Sequence, residues 1–171
     1  MENNNLRAIG SRKSAVSRGP IANLISPSDL GESLEPFVFL DFFSATITPG
    51  FGFEMHPHSE IATLTWQPGC DVQHTDTTHQ AGILKAGGLE WMNAGSGAWH
   101  QGRLQASGPS LGFQLWVPMP LDIEDGSAFG QYVPPEKVPP LGIPGGDGKV
   151  LLGSLESTEK QFRARSIRIK T

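Results

Sequence analysis

Short runs of apolar residues separated by turn-forming residues dominate the chain. The clearest run covers residues 111–117, where Leu, Phe, Leu and Val alternate with Gly, Gln and Trp before Pro118. A period of two places successive side chains on opposite faces of a strand. No segment has the spacing of a long amphipathic helix, and 21 Gly with 14 Pro supply many turns. The pattern predicts an all-β fold.

Other strands and connectors follow from the same pattern. Strands are predicted at residues 19–25, 61–66 and 149–153, and the densest apolar run, 35–43, is predicted to lie in the core. The Pro and Gly pairs within residues 118–148 indicate an extended connector with little regular structure. Residues 160–170 carry five basic side chains and are predicted to form a disordered tail rather than a terminal strand.

Histidines supply the candidate chemistry. His56 and His58 are two positions apart, so on a strand both imidazoles project to the same face. A third imidazole from a distant strand, such as His100, would complete a set of nitrogen ligands for a divalent transition metal. The alternative is a His-x-His pair that arose by chance on a surface.

The same alternation predicts how polar and apolar side chains are distributed on the strand that carries His56 and His58. If residues 56–66 form one unbroken strand, one face of that strand runs from polar to apolar. That face would carry His56, His58, Glu60, Ala62, Leu64 and Trp66.

Composition narrows the function classes. The 171 residues suit one domain with a proper core, and the net charge of −4 argues against direct nucleic-acid binding. The single cysteine, Cys70, allows no internal disulfide and favours a reducing cytoplasm. No secretory signal or stretch of transmembrane length is present, so a cytoplasmic protein without membrane contact is expected.

Three segments resemble a known family in order and spacing. Residues 34–41, the His56-Pro57-His58 segment and residues 82–100, with their Trp-Met-x-Ala-Gly-x-Gly-x-x-His block, resemble the N-terminal domain of pirins, members of the cupin superfamily. The resemblance spans roughly residues 20–120. It implies a jelly-roll type β-barrel and a mononuclear metal, typically iron, held by residues of both cupin motifs.

The resemblance also divides the chain. Residues 1–19 would form an N-terminal arm, 20–120 a pirin-like cupin barrel, and 121–171 a connector, a short strand and a basic tail. Pirins usually carry a second barrel, so a single-cupin form is expected here. An isolated barrel should expose apolar surface and could cover it by forming a homodimer.

The candidate metal ligands depart from the family pattern. Pirins usually have a glutamate two residues after the second-motif histidine, where this chain has Gly102. Other cupins often place their glutamate where this chain has Ala62 and Thr63, and Gln101 should point to the opposite face. Two outcomes stay open: Fe²⁺ or another divalent metal on His56, His58 and His100, with His74 as a potential fourth ligand, or a vestigial site without metal.

Two classes of function follow. The first is a metal-dependent dioxygenase of the quercetinase type, acting on a small aromatic, flavonol-like molecule, with Glu54 and Glu60 as the candidate bases. The second is a non-enzymatic regulatory module that binds a protein partner. Cys70 follows a Pro-Gly turn and has no neighbouring histidine in sequence, so it is not expected to act as a nucleophile.

Overall fold

The computed structural model describes residues 9–48, 50–105, 107–143, 145–156 and 161–163, and strands dominate them. The strands are β1 Val16–Arg18, β2 Ile21–Ile25, β3 Phe39–Ile47, β4 Gly52–His58, β5 Ile61–Trp66, β6 Val72–Asp76, β7 Ala81–Leu84, β8 Leu89–Asn93, β9 Ala98–Leu104, β10 Gly108–Pro118, β11 Phe129–Val133, β12 Pro140–Ile143, β13 Gly146–Lys149, β14 Ser154–Glu156 and β15 Gln161–Arg163. The helical elements are α1 Leu30–Ser33 and a 3-10 turn at Pro135–Lys137. The all-β prediction is confirmed. Among these residues no helix is both long and apolar enough to cross a lipid bilayer.

Two antiparallel sheets form the body of the fold. The larger has the order β1-β2-β3-β10-β5-β8-β11 and the smaller the order β4-β9-β6-β7. Residues of both sheets line one central cavity, including Thr65 of β5 and His100 of β9. The two sheets therefore face each other across a lumen, as in a β-barrel closed from two sheets.

The predicted continuous strand over residues 56–66 is broken. β4 ends at His58 and β5 begins at Ile61 in the other sheet, with Glu60 between them at φ 62°. The break changes the alternation, so Ala62 and Leu64 do not share the histidine face. Thr65 lines the lumen instead.

Ala62 and Leu64 belong to an apolar cluster on the outer face of the larger sheet. The cluster also contains Leu89, Trp91, Met119, Val133 and Val138, and Ile123, Leu151 and Leu152 pack against it. Six of these residues follow the end of β10. The C-terminal segment therefore covers this face and buries it from water.

The predicted connector has more regular structure than expected. β11 pairs with β8 and becomes an edge of the larger sheet, and β12 and β13 form a hairpin. The strand predicted at 149–153 is wrong, because β13 ends at Lys149 and the next residues are loop, with Val150 buried. At the end of the chain, β15 pairs with β14, so the prediction of disorder is wrong for Gln161–Arg163, and residues 164–171 lie outside the described residues.

Candidate metal centre

Three imidazoles converge at one end of the lumen. The Nε2 atom of His100 lies 3.0 Å from Nε2 of His56 and 3.2 Å from Nε2 of His58. Two nitrogens bound to one ion at about 2.1 Å lie about 3.0 Å apart at a right angle and about 3.4 Å apart in a tetrahedron. The three nitrogens therefore have the spacing of ligands on a single ion.

Strand register produces this convergence. His56 of β4 and His100 of β9 are direct partners in the antiparallel pair, and His58 opposes Ala98 two positions along. A bulge between Phe53 and His56 shifts the register just before the histidines. The structure thus brings together all three histidines that the sequence selected, while metal binding itself stays a prediction.

One backbone contact sets the tautomer of His56. Its Nδ1 lies 2.7 Å from the backbone carbonyl oxygen of Glu54. Because a carbonyl can only accept, His56 donates from Nδ1 and keeps a lone pair on Nε2. The nitrogen that faces the other two histidines is therefore the one able to bind a metal.

His58 is held neutral by its surroundings. Burial lowers the pKa of His58 from 6.5 to about 4, and repulsion from protonated His100 and His56 adds to the effect. Attraction by the Glu90 carboxylate opposes the shift. At neutral pH the imidazole of His58 is therefore uncharged, the form in which a ring nitrogen has a lone pair for a metal.

The usual pirin carboxylate has no equivalent on β9. Gly102 opposes His74 across the β6–β9 pair and lines the cavity, on the face used by His100. A Cβ at this position would lie 3.2 Å from Cγ1 of Val72, so a side chain here would press lightly on the strand beside it.

The two glutamates proposed as bases do not line the cavity. Glu54 is exposed and accepts two hydrogen bonds of 3.0 Å from Nη2 of Arg103, and Glu60 is an exposed residue of the β4–β5 turn. A base must lie within hydrogen-bonding reach of the proton that it removes. Neither residue meets this condition at the cavity.

A buried carboxylate that sequence reasoning missed lies on the other sheet. Glu90 of β8 is 7% exposed, and its Oε1 atom lies 3.1 Å from Nε2 of His74 and 3.9 Å from Nδ1 of His100. The only sequence signal was alternation in β8, where Glu90 opposes Thr65 while Leu89 and Trp91 join the outer cluster.

His74 lies between two carboxylates. Its Nε2 donates to Oδ2 of Asp76 at 3.1 Å, and the same nitrogen lies 3.1 Å from Oε1 of Glu90. Burial alone would raise the pKa of Asp76, but hydrogen bonds from His74, Thr78 and Gln80 outweigh it and lower that pKa. In this arrangement the Nε2 atom of His74 faces carboxylates rather than the three-histidine cluster, so His74 is not placed as a fourth ligand.

The cavity next to the histidines has a volume of about 110 Å³. Its apolar lining residues include Phe43, Phe53, Leu84, Leu104 and Phe113, and its polar lining residues include Asp41, Thr65, Gln67, Glu90 and Gln114. Burial raises the pKa of Asp41 against the opposing effect of a hydrogen bond from Asn23. Flat apolar side chains with a few polar groups are typical of sites for small aromatic ligands.

Comparison with known proteins agrees with this architecture. The family model described as Pirin matches residues 20–117. The chain belongs to the pirin family. A Caulobacter vibrioides "Pirin-like protein" is 32% identical over 130 residues, which are 74% of this chain and 47% of that protein. A Pseudomonas aeruginosa protein named "Putative quercetin 2,3-dioxygenase" is 36% identical over 118 residues, 67% of this chain and 41% of its relative. This pirin-family chain thus spans less than half the length of either relative.

Solved structures confirm the cupin fold. A quercetin 2,3-dioxygenase from Acinetobacter baumannii superposes with a TM-score of 0.75 at 26% identity, covering 86% of this chain and 54% of that one. The bacterial pirin YhhW from Escherichia coli, in complex with nickel(II), gives a TM-score of 0.58 at 20% identity, over 70% of this chain and 53% of that one. The predicted cupin barrel is therefore confirmed.

Proposed function

We propose that this pirin-family chain binds a divalent transition metal through His56, His58 and His100. The observation that carries the proposal is the convergence of three Nε2 atoms at the 3.0 and 3.2 Å spacing of ligands on one ion. Neutral imidazole suits iron, nickel, copper and zinc, and three protein ligands leave further coordination positions open. Iron(II) is the first candidate, because the resemblance to pirins favours it.

The proposed reaction is oxygenation of a small aromatic molecule with flavonol-like hydroxyl groups. A bound metal with open positions would supply Lewis-acid and redox chemistry to such a substrate and dioxygen. Phe43, Phe53 and Phe113 offer flat apolar surfaces for an aromatic ring, and the polar side chains that line the same cavity offer hydrogen-bonding partners. Quercetin dioxygenase names among the relatives support this substrate class.

Polar side chains in the cavity lining provide the groups that would orient the substrate. Gln67 lines the cavity, and among the described residues its buried Oε1 has no hydrogen-bond donor. A phenolic hydroxyl that donated to this oxygen would satisfy it, and burial would make the interaction stronger than in water.

Oxygen consumption tests this proposal. Protein loaded with iron(II) is mixed with quercetin in an oxygen-electrode cell, and the matched variants are His100→Ala and His79→Asn. His79 is an exposed histidine at φ 67°, a conformation that asparagine tolerates, so this variant removes an imidazole away from the site. We expect consumption by the wild type and by His79→Asn, and at least a hundredfold loss in His100→Ala. Equal rates in all three samples would contradict the proposal.

The second candidate is a regulatory module that binds a protein partner or a second copy of itself. Gly102 favours this second candidate, because a metal site that lacks the usual carboxylate can respond to a metal without catalysing a reaction. Met55 and Trp99 also favour it, since these side chains on the strands of the site are 41% and 49% exposed. Light scattering of metal-free and metal-loaded protein separates the two candidates: a metal-dependent change in molar mass, without oxygen consumption, supports this one.

A further inference from the structure

Glu90 is a buried carboxylate with an unsatisfied oxygen. Among the described residues Oε1 of Glu90 has no hydrogen-bond donor in a favourable geometry, although Nε2 of His74 is 3.1 Å away. The N–H of that nitrogen is directed at Asp76. A buried acceptor without a donor costs free energy, so such a group calls for a specific explanation.

The ring of His100 offers the missing donor. Its Nε2 atom belongs to the three-histidine cluster, whereas its Nδ1 atom faces Glu90 at 3.9 Å. A neutral imidazole that keeps a lone pair on Nε2 carries its proton on Nδ1. A shift of about 1 Å would bring that N–H within hydrogen-bonding distance of the carboxylate.

We propose that Glu90 is the positioning carboxylate of this site: it accepts the Nδ1–H of His100, directs Nε2 at the metal and supplies the negative charge that Gly102 cannot. This inference rests on the proposed metal site. Carboxylate partners of metal-bound histidines fix the tautomer and raise the basicity of the ligand. Glu90 does not belong to the group of His56, His58 and His100, so toward that group it acts through His100; with His74 and His100 it forms a second group whose ligand atoms lie within 4.8 Å of one another.

Acidic and imidazole side chains follow one another up to Glu90. Asp76 is anchored at Oδ1 by the backbone N–H groups of Thr78 and Gln80, at 2.7 and 3.0 Å, and the Nε2 atom of His74 that donates to Asp76 lies 3.1 Å from Oε1 of Glu90. Carboxylate and imidazole thus alternate from Asp76 through His74 and Glu90 to His100.

Two variants separate charge from hydrogen bonding. Glu90→Gln keeps the shape and an acceptor oxygen but removes the charge, whereas Glu90→Leu removes both. The matched control is Glu54→Gln, which removes an exposed carboxylate two residues from His56 and leaves its backbone carbonyl in place. Because Oε1 of Glu90 has no hydrogen-bond donor among the described residues, an apolar side chain of similar size leaves no donor unpaired there, and Glu90→Leu is expected to fold.

The first readout needs no metal. Nitrogen-15 NMR of the imidazoles in metal-free protein at pH 8 reports which ring nitrogen of His100 carries the proton. The 3.0 Å contact with the lone pair on Nε2 of His56 favours Nε2–H on His100, so we expect a larger share of Nδ1–H in the wild type and in Glu54→Gln than in Glu90→Leu. An unchanged His100 tautomer in Glu90→Leu would overturn the inference, whatever the metal affinity.

The second readout is metal affinity, measured by competition of iron(II), cobalt(II) and nickel(II) with a chelator. We expect affinity to fall about 10- to 100-fold in Glu90→Leu, less in Glu90→Gln, and to stay within twofold in Glu54→Gln. Equal affinity in wild type and Glu90→Leu would also overturn the inference and leave the proposed function standing. If the wild type bound no metal while Glu90→Leu changed the tautomer, the proposed function would fail, and Glu90 would retain only its control of the His100 ring.

Discussion

His56 and His100 are direct partners across two antiparallel strands, and their Nε2 atoms lie 3.0 Å apart. Register partners normally have Cβ atoms about 5 Å apart, so the two rings lean toward one another at the tips. The ring centroids are 4.5 Å apart with a tilt of 55°. That tilt aims both nitrogens at one point, which stacked rings would not do.

The pKa of His58 makes a prediction about pH. The folded protein holds this pKa at about 4, against 6.5 for an ordinary histidine. Between these values the unfolded chain binds a proton that the folded metal-free protein does not, so the free energy of unfolding falls as pH drops from about 6.5 to 4 and levels off below. The loss should be on the order of 1–2 kcal/mol, because solvent screens a half-buried ring.

Urea denaturation of the metal-free protein at pH 7 and pH 4.5 checks this prediction. Because other groups titrate over the same range, His58→Gln is the matched control. The variant should lose less stability between the two pH values than the wild type. An identical loss in both proteins would show that His58 is not responsible.

Substitutions in the outer apolar cluster should lower the stability of the fold without changing the affinity of the site for metal. Leu64 is 6% exposed and packs beneath the C-terminal segment near Val138. Leu64→Ala should lower the free energy of unfolding by about 2–5 kcal/mol through the cavity that it leaves. Metal affinity should stay within twofold, since this face points away from the histidines. A large loss of affinity together with small destabilisation would place Leu64 in the lumen instead.

Several features of the fold and site could be predicted from sequence. His56 and His58 depend only on local alternation, and His100 was selected as a third imidazole from a distant strand before the resemblance to pirins supported it. The break after His58 could not be predicted, because Ser59 and Glu60 include neither Gly nor Pro, and a positive φ at glutamate is uncommon. Once the break shifts the alternation, Thr65 of β5 rather than Leu64 lines the lumen, and its partner Glu90 on β8 lines the lumen as well.

Glu90 could not be assigned for a different reason. Its approach to His100 joins two sheets, and no spacing along one chain encodes the packing of β8 against β9. The coverage of the outer face has the same origin. The Pro and Gly residues around β11 do not indicate a strand. Its pairing with β8 is set by the strand beside it rather than by its own composition.

Restoring a carboxylate at residue 102 provides the next prediction. Gly102→Glu should tighten iron(II) binding, because it adds an anionic oxygen near three neutral nitrogens. If Glu90 already supplies part of the missing charge, the gain should be larger in a Glu90→Gln background than in the wild type. Chelator competition on the four proteins of this cycle measures the coupling.

The control for that cycle concerns the contact between the new side chain at residue 102 and Val72. The new Cβ would lie 3.2 Å from Val72 Cγ1, so Val72→Ala is added to relieve the contact. A lower melting temperature with no gain in iron affinity, both with and without the Val72 change, would mean an unpaired buried carboxylate and would reject the three-histidine site.

Cys70 is expected to be structural. It is 5% exposed in the apolar cluster with Phe43 and Leu104, and its Sγ accepts a 3.2 Å hydrogen bond from Oγ of Ser110. Cys70→Ser should cost about 1–2 kcal/mol by burying a hydroxyl, with unchanged metal affinity. Differential scanning calorimetry and metal titration test the two parts, and loss of metal in a folded Cys70→Ser protein would refute the structural role.

Metal stoichiometry is the most direct test of the three-histidine site. Purified wild type, His56→Ala, His100→Ala and the control His79→Asn are loaded with iron(II) without oxygen, desalted and analysed for metal per chain. We expect about one ion in the wild type and the control, and less than a tenth of that in both site variants, all four with similar circular dichroism. Equal metal content in all four proteins would contradict the assignment.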